Sequence, residues 1–232
     1  MARKEKNKLS RPTGSVLFTV ADPKSPTSEQ YKTLRTNIKF SQGDHPIKSI
    51  VMTSAGSMEG KSTTAANLAV AFAQSGLNTL LIDADLRRPT CHMTFDLENT
   101  KGLSNLISIR SMSLQDVTQK TEISNLSVIT SGPKSPNPSE LLSSARMRKV
   151  IKIISQYYDF VIFDMPPVVQ VTDAQIIASQ VDGVVLSVRE GITNKLMLTK
   201  AMELLNQVQA NVIGAVYTGV EDSHGYYAYT YN

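Results

Sequence analysis

The run Ser49-Ile50-Val51-Met52-Thr53-Ser54-Ala55-Gly56-Ser57-Met58-Glu59-Gly60-Lys61-Ser62-Thr63 decides how this chain folds. It joins an apolar, strand-like segment to an Ala-rich helix predicted over residues 63–74. Between the two lies the pattern Ala/Gly-x-x-x-x-Gly-Lys-Ser/Thr, with Ala55 in the position often held by glycine. Backbone N–H groups of such a loop curl around phosphates, and the following helix presents its positive N-terminal end to them. The run therefore predicts a phosphate-binding site.

Individual positions of this loop have distinct predicted roles. Gly60 lets the backbone approach the phosphates closely, Lys61 would contact the β- and γ-phosphates, and Ser62 would offer its hydroxyl to Mg²⁺. Met58 occupies a position that is often glycine, and it adds strain if that position needs a positive φ. The candidate nucleotide-binding residues are Ala55, Gly56, Ser57, Met58, Glu59, Gly60, Lys61, Ser62 and Thr63.

Short apolar runs alternate with longer amphipathic ones on either side of this loop. Strands are predicted at residues 49–52, 79–82, 126–130, 160–163, 183–188 and 212–217. Helices are predicted at residues 28–40, 63–74, 146–157 and 194–208, with Ser28 as the N-cap of the first. Fully apolar short strands that alternate with helices indicate a mostly parallel sheet covered on both faces. The predicted fold class is α/β, of the P-loop NTPase type.

Acidic residues stand directly after two of the predicted strands. Asp83 and Asp85 follow one strand and Asp164 follows another. The carboxyl ends of parallel strands are where such folds bind ligands, and Mg²⁺ prefers oxygen ligands. A single aspartate there could equally cap a helix, which is the role expected of Asp173. Three of them beside a phosphate loop favour ATP with Mg²⁺ as cofactors, with Ser62, Asp83, Asp85 and Asp164 as candidate metal ligands.

The composition excludes several other classes of protein. Of 232 residues, 41% are hydrophobic and 19% charged, which is ordinary for a globular domain. A single cysteine, Cys91, excludes an internal disulfide and a site built from several thiolates. The apolar runs are too short to span a bilayer, and no apolar segment of a signal peptide follows the basic N-terminus. We therefore expect a cytoplasmic protein.

The two ends of the chain differ from the middle. Residues 1–11 carry five basic residues and one acidic residue, which accounts for the whole net charge of +4. The predicted organisation is a flexible basic arm (1–20), a phosphate-loop domain (21–220) and a flexible tail (221–232). The arm could contact anionic lipid or simply be solvated. Without a basic stripe that carries interleaved aromatic residues, no nucleic acid is expected as a partner.

The tail contains Tyr226, Tyr227, Tyr229 and Tyr231, half of the eight tyrosines in the chain. An aromatic tail by itself is more often an edge strand or a docking peptide. Together with a phosphate loop in the same chain, these phenols become candidate acceptors of a phosphoryl group. An anionic base such as Asp83 would help to remove the phenol proton, because a free phenol has a pKa near ~10.

The motifs Asp83-x-Asp85-x-Arg87 and Asp164-x-Pro166-Pro167, with the phosphate loop and the terminal tyrosines, resemble those of the bacterial tyrosine kinases. The resemblance covers nearly the whole chain and implies ATP-dependent autophosphorylation of the four tail tyrosines. It implies that Asp83 is a candidate base or metal partner and that Asp85 and Asp164 hold Mg²⁺ and its waters. It also implies that Arg87 supports the acidic pair. Together with Lys61, these are the candidate catalytic residues.

The same resemblance implies partners. Such kinases are activated by a transmembrane adaptor of the polysaccharide co-polymerase class, which would recruit the chain to the inner face of the plasma membrane. A cognate tyrosine phosphatase would reverse the modification. The family forms rings, such as octamers, through a Glu-x-x-Arg-x-x-Arg helix, represented here by Glu29, Lys32 and Arg35. Phosphorylation in trans would loosen the ring and tune the polymerisation and export of capsular or exopolysaccharide. Because lysine cannot reproduce the bidentate fork of arginine, Lys32 predicts altered ring contacts.

Two other functions remain open at the level of sequence. A MinD/ParA-type ATPase switch shares the phosphate loop, although Gly56 stands where that class carries a lysine. A non-enzymatic adaptor that binds ATP without turnover is the other alternative, because Met58 alters the loop. Thr218 stands where related ATPases often carry an adenine-contacting asparagine, so no residue that recognises the base is assigned.

Overall fold

The computed structural model describes residues 14–41 and 46–220 of the chain. Its strands are β1 (Ser49–Ser54), β2 (Thr79–Asp83), β3 (Thr118–Lys120), β4 (Leu126–Ile129), β5 (Phe160–Asp164), β6 (Gly183–Arg189) and β7 (Val212–Thr218). Its helices are α1 (Phe18–Ala21), α2 (Pro26–Phe40), α3 (Lys61–Gln74), α4 (Cys91–Thr94), α5 (Leu103–Ser108), α6 (Pro138–Ser143), α7 (Ala145–Tyr157), α8 (Asp173–Ala178) and α9 (Lys195–Gln207). A 3-10 turn, η1, spans Leu114–Asp116.

The strands form one seven-stranded sheet in the order β3-β4-β2-β5-β1-β6-β7. Only the pairing of β3 with β4 is antiparallel among the described pairs. Strand β5 lies between β1 and β2, and its register places Asp164 directly opposite Asp83. The carboxyl ends of β1, β2 and β5 therefore meet at one edge of the sheet, directly below the loop that follows β1.

The six strands predicted from sequence are confirmed, and each boundary agrees to within two residues. Strand β3 was not predicted because its sequence, Thr-Gln-Lys, has neither apolar residues nor alternation, and it forms by pairing with β4 at the sheet edge. The predicted N-cap of the first long helix was wrong. Helix α2 begins at Pro26, and Ser25 is the cap, whose hydroxyl accepts the N–H of Ser28 at 3.2 Å.

Two hydrophobic cores cover the two faces of the sheet. Side chains alternate along β1, so Ile50 and Met52 enter one core and Val51 enters the other. Helix α3 fills the first core with a face of small residues, which lets it lie close to the strands, and Phe72 of this helix stacks on Phe160 with ring centroids 3.7 Å apart. This packing fixes where the N-terminus of α3 points, and hence where the loop before it sits.

The segment before α2 packs against α3. The side-chain oxygen of Asn67 accepts the N–H of Thr19 at 3.1 Å and its hydroxyl at 3.0 Å, and the Asn67 amide donates to the carbonyl of Val16 at 2.8 Å. Residues 14–20, assigned from sequence to a flexible arm, thus belong to the packed domain. Residues 1–13 and 221–232 lie outside the described residues, so the wider division into arm, domain and tail stays a prediction.

Across residues 14–41 and 46–220, no helix combines the length and the apolarity that a membrane crossing requires.

Truncating the buried ring of α3 should destabilise the fold far more than truncating an exposed ring. Phe72 is fully buried, whereas Phe40 at the end of α2 is 83% exposed. We expect Phe72→Ala to lower the free energy of unfolding by about 3–5 kcal/mol and Phe40→Ala to change it by less than about 0.5 kcal/mol. Urea denaturation of both variants checks this. Equal losses would show that the Phe72 ring does not organise the core.

Candidate active site

The loop between β1 and α3 adopts the conformation that a phosphate-binding loop requires. Gly60 is the N-cap of α3 with φ of +84°, a left-handed conformation in which its backbone is open to a ligand. Met58 has φ of +61° although it is not glycine, and its side chain is 78% exposed. The strain expected from sequence at Met58 is thus present, at a cost of about 1–2 kcal/mol.

Residues from the far strands hold this loop in place. The carbonyl of Glu59 accepts the hydroxyl of Ser187, on β6, and that of Thr218, on β7, the latter at 3.0 Å. Arg189 donates from Nη1 to the carbonyl of Met58 at 3.0 Å. Sequence reasoning missed these anchors, although a polar Ser187 inside an otherwise apolar strand was an available signal. Thr218, which stands where related ATPases often carry an adenine-contacting asparagine, supports the loop backbone here.

Lys61 joins the loop to the carboxylates at the sheet edge. Its ammonium lies 3.1 Å from Asp85 Oδ2, 3.5 Å from Asp164 Oδ1 and 3.0 Å from the hydroxyl of Ser62. Burial disfavours the charged ammonium, but attraction to Asp164 and Asp85 outweighs this, so the pKa of Lys61 is raised. The side chain of Lys61 is therefore a protonated ammonium that interacts with two of the predicted site carboxylates, Asp85 and Asp164.

Asp83 is fully buried at the end of β2, and its two carboxylate oxygens have different surroundings. Oδ2 accepts the N–H groups of Thr90 at 3.0 Å and of Cys91 at 2.9 Å, so it holds the start of α4. Oδ1 has no hydrogen-bond partner among the described residues. Burial, followed by repulsion from Asp164, raises the pKa of Asp83 to about 7. Oδ2 of this carboxylate therefore has a structural role, and Oδ1 is available to a ligand.

Asp164 is also buried, and within the described part of the chain neither of its carboxylate oxygens has a hydrogen-bond partner. Burial raises the pKa of Asp164, with Lys61 opposing this. Buried carboxylate oxygens normally have partners, so these atoms mark a place for a ligand. A hydroxyl and several carboxylates around such oxygens suit Mg²⁺, which takes oxygen ligands and keeps several waters. The residues present fit the predicted metal.

Arg87 does not contact the acidic pair through its side chain. Its guanidinium binds Asp173 in a two-pronged arrangement, with Nε 2.9 Å from Oδ2 and Nη2 3.0 Å from Oδ1. The hydroxyl of Ser139 donates to the same Oδ1 at 2.6 Å. Within residues 14–41 and 46–220, Asp85 Oδ1 accepts hydrogen bonds only from backbone N–H groups of the turn, those of Arg87 at 3.3 Å and Arg88 at 3.0 Å. Arg87 therefore positions the turn that carries Asp85.

The role expected of Asp173 was wrong. It was predicted to cap the next helix, but Thr172 is the N-cap of α8 and Asp173 is its first residue. The side chain of Asp173 is fully buried and accepts hydrogen bonds from Arg87 and Ser139. Burial of a carboxylate requires such partners, and the guanidinium of Arg87 supplies them.

The remaining predicted residues lie apart from this cluster. The predicted oligomer residues lie on α2, where Lys32 pairs with Glu29 at 2.6 Å and Arg35 donates to the carbonyl of Ala71, on α3, at 2.9 Å. The four tail tyrosines lie outside the described residues. A cleft of about 760 Å³ opens beside the loop, and its lining includes Val16, Tyr31, Gly60, Thr63, Arg189 and Thr218.

The Arg87–Asp173 contact should be energetically coupled. In a double-mutant cycle with Arg87→Met and Asp173→Asn, we expect a coupling free energy of unfolding of about 1.5–3 kcal/mol, as for hydrogen bonds to charged groups, with partial exposure of Arg87 favouring the lower end. Lys200 and Glu203 provide the matched control, since they pair at 3.1 Å with both side chains about half exposed. That cycle should give less than about 0.5 kcal/mol. Similar values for both cycles would contradict a positioning role for Asp173.

Comparison with known proteins identifies the family of this chain. The AAA domain family matches residues 47–213. Tyrosine-protein kinase YwqD of Bacillus subtilis (strain 168) is 47% identical over 225 residues, which cover 97% of this chain and 94% of that protein. Tyrosine-protein kinase CpsD of Streptococcus agalactiae is 40% identical over 198 residues, or 85% of each chain.

A solved structure supports the same family. The kinase domain of the Escherichia coli tyrosine kinase ETK superposes with a TM-score of 0.86 at 32% identity, covering 99% of this chain and 89% of that one. The chain therefore belongs to the AAA domain family and, within it, to the bacterial tyrosine-protein kinases.

Proposed function

We propose that this kinase uses ATP with Mg²⁺ to transfer a phosphoryl group to its own C-terminal tyrosines, Tyr226, Tyr227, Tyr229 and Tyr231. The observation that carries the proposal is the convergence of one ammonium, one hydroxyl and three carboxylates directly beyond a phosphate-binding loop. These groups belong to Lys61, Ser62, Asp83, Asp85 and Asp164. Phosphoryl transfer needs positioning and charge stabilisation more than covalent help, and this arrangement supplies both.

The nucleotide would lie along the loop and into the cleft beside it. The N–H groups of residues 55–63 and the N-terminus of α3 would hold the phosphates. The cleft of about 760 Å³ next to Gly60 and Thr63 is large enough for a nucleoside, and Tyr31 and Val16 offer it partly apolar walls. Support of the loop by Ser187 and Thr218 means that little reorganisation would be needed on binding.

Ser62, Asp85 and Asp164 would hold Mg²⁺, with Asp83 close by. When bound, the ion neutralises charge that develops on the β- and γ-phosphate oxygens. Lys61 contacts Asp85 and Asp164 in the structure, so it would exchange these carboxylates for phosphate oxygens when a nucleotide enters. The carboxylates raise the pKa of Lys61, and the phosphate oxygens that would replace them are also negative, so the ammonium would stay charged through that exchange.

Asp83 is the proposed general base. Its Oδ1 is free of hydrogen-bond partners among the described residues, so this oxygen is available to accept a proton. The free oxygen would accept the phenol proton as the tyrosine oxygen attacks the γ-phosphorus. Residues 221–232 could extend roughly 40 Å at ~3.4 Å per residue, so the tail can reach a second copy of the chain.

The proposed cellular role is control of capsular or exopolysaccharide polymerisation and export. A transmembrane adaptor would recruit the kinase to the inner face of the plasma membrane, and a tyrosine phosphatase would reset it. The resemblance to the bacterial tyrosine kinases supports the proposed adaptor and the proposed phosphatase.

A ring oligomer would form through α2. Glu29 and Lys32 are on the surface of this helix, whereas Arg35 also connects α2 to α3 through its hydrogen bond to Ala71. Phosphate on the tail would add negative charge and loosen that ring.

Removing the loop ammonium should abolish tail phosphorylation. Incubated with Mg-ATP and the cytoplasmic segment of the adaptor, the wild-type chain should gain phosphate on the tail tyrosines, as read by intact-mass and peptide mass spectrometry. Lys61→Met should lower the rate at least about 100-fold, because a preorganised charge is lost. Lys200→Met changes an exposed lysine on α9 and should leave the rate unchanged. ATP hydrolysis with an unmodified wild-type tail would instead indicate a MinD/ParA-type switch.

Phosphorylation should also reduce the size of the oligomer. We expect the fully phosphorylated chain to show a smaller mass by light scattering than the unmodified chain, because about −1.5 to −2 charges are added per tyrosine. A variant with phenylalanine at all four tail positions cannot accept phosphate and should keep its mass after the same incubation. An unchanged mass for the phosphorylated wild type would refute ring release without affecting the assignment of kinase activity.

A further inference from the structure

We propose that Asp83, Asp164 and Cys91 form a binding site for a thiophilic divalent cation of the Zn²⁺ or Cd²⁺ kind, and that this site shares Asp164 with the proposed Mg²⁺ site. Each of the three residues offers one ligand atom, and these atoms all lie within 4.8 Å of one another. Occupation of this site by such an ion would inhibit the kinase, since two of the three ligands belong to the catalytic carboxylates.

Unsatisfied oxygens point to a ligand here independently of the thiol. Asp83 and Asp164 are both fully buried, and Asp83 Oδ1 and Asp164 Oδ2 lack hydrogen-bond partners among the described residues. Asp164 Oδ1 likewise has no hydrogen bond within this part of the chain, although the ammonium of Lys61 lies 3.5 Å away. Buried acceptors without partners are costly, and a cation is the partner that satisfies several of them at once. The sulfur of Cys91, itself 1% exposed, adds a soft donor beside these hard ones.

The fold holds the three groups together through its backbone. Asp83 and Asp164 end adjacent parallel strands and are paired in register. Cys91 is the first residue of α4, and its N–H donates to Asp83 Oδ2 at 2.9 Å, so the thiol stays next to that carboxylate. Bond lengths near ~2.0–2.3 Å place the ligand atoms of a tetrahedral zinc ion roughly 3.3–3.8 Å apart. Small side-chain rotations of the three residues would close the remaining gap.

The ligand set distinguishes soft from hard cations. Thiolate sulfur favours Zn²⁺ and similar ions, whereas Mg²⁺ takes oxygen ligands. On binding, the Cys91 thiol releases its proton to solvent and a metal–sulfur bond forms, so the ion faces one thiolate and two carboxylates. An ion at Asp164 would also repel the ammonium of Lys61, which lies 3.5 Å from Asp164 Oδ1. Inhibition would follow from both the occupied carboxylates and the displaced lysine.

A direct test uses Cd²⁺ as the probe on the full chain without nucleotide or Mg²⁺. Cys91 is the single cysteine in the sequence, so any ultraviolet charge-transfer band between thiolate and Cd²⁺ reports this residue alone. We expect such a band to saturate at one ion per chain. Cys91→Ser should remove the band and weaken Cd²⁺ binding, measured by calorimetry, by at least about tenfold, since removal of even an outer-shell partner of a metal ligand commonly costs that much.

A neighbouring residue supplies the matched control. His92 adjoins Cys91, offers a ring nitrogen to soft cations and is not one of the three clustered residues. His92→Gln should leave the band and the affinity unchanged. Cys91→Ala provides a second removal of the sulfur, and circular dichroism confirms that each variant is folded. Kinase inhibition by Zn²⁺, expressed relative to the basal rate of each variant, should be weaker in Cys91→Ser than in the wild type.

Two results would overturn the proposal. One is the absence of a thiolate band in the wild-type protein at saturating Cd²⁺. The other is calorimetric binding of equal strength in wild type and Cys91→Ser, which would place the ion elsewhere on the chain. Because the spectrum and the calorimetry need neither ATP nor tyrosine transfer, either result leaves the proposed kinase function untouched, and loss of kinase activity would leave the metal site untouched.

Discussion

The sharing of one buried ammonium by two carboxylates is the interaction on which this site depends. Lys61 lies 3.1 Å from Asp85 and 3.5 Å from Asp164, with Asp83 paired opposite Asp164 in the sheet. Buried like charges destabilise one another, and an unpaired buried carboxylate costs several kcal/mol. The positive charge of Lys61 therefore offsets the repulsion between the carboxylates that the parallel register of β2 and β5 brings together. The same ammonium is the group that would bind the phosphates of a nucleotide, so nucleotide binding and the balance of charge at this site are linked.

The loop that carries Lys61 is held by strands far from it in sequence. Hydroxyls from β6 and β7 bind the carbonyl of Glu59, and Arg189 binds that of Met58, across more than a hundred residues of chain. These contacts compensate for the positive φ of Met58, which a methionine adopts only when its surroundings require it. A rigid sheet with a supported loop at its carboxyl edge is how this fold presents backbone N–H groups without rearrangement.

A second set of contacts surrounds the acidic turn after β2. The side chain of Arg87 binds Asp173 of α8, while backbone N–H groups of Arg87 and Arg88 bind Asp85. Asp83 uses one oxygen to hold the start of α4 and keeps the other free. Backbone N–H groups thus orient two of the three carboxylates, those of Asp83 and Asp85. Among the described residues, Asp164 has no such backbone support and relies on the ammonium of Lys61, 3.5 Å from its Oδ1.

Local patterns were enough to predict much of this protein. The apolar runs around residues 50, 81 and 162 predicted the strand positions because a strand buried on both faces consists mainly of apolar residues. The phosphate loop and the strand-end aspartates were found because their chemistry depends on neighbours in sequence. By contrast, strand β3, the Ser25 cap, the Arg87–Asp173 pair and the place of Cys91 beside two aspartates depend on the tertiary structure.

The difference between the features that local patterns predicted and those that they did not has a physical cause. Sequence by itself determined what each short segment prefers: which runs form strands, which loop can surround a phosphate and which residues carry charge. Only the tertiary structure decided which charges face one another, because strand order and register bring together residues such as Asp83 and Asp164, which lie 81 positions apart. Burial then sets their protonation and their need for a partner. A linear sequence contains neither the register nor the burial.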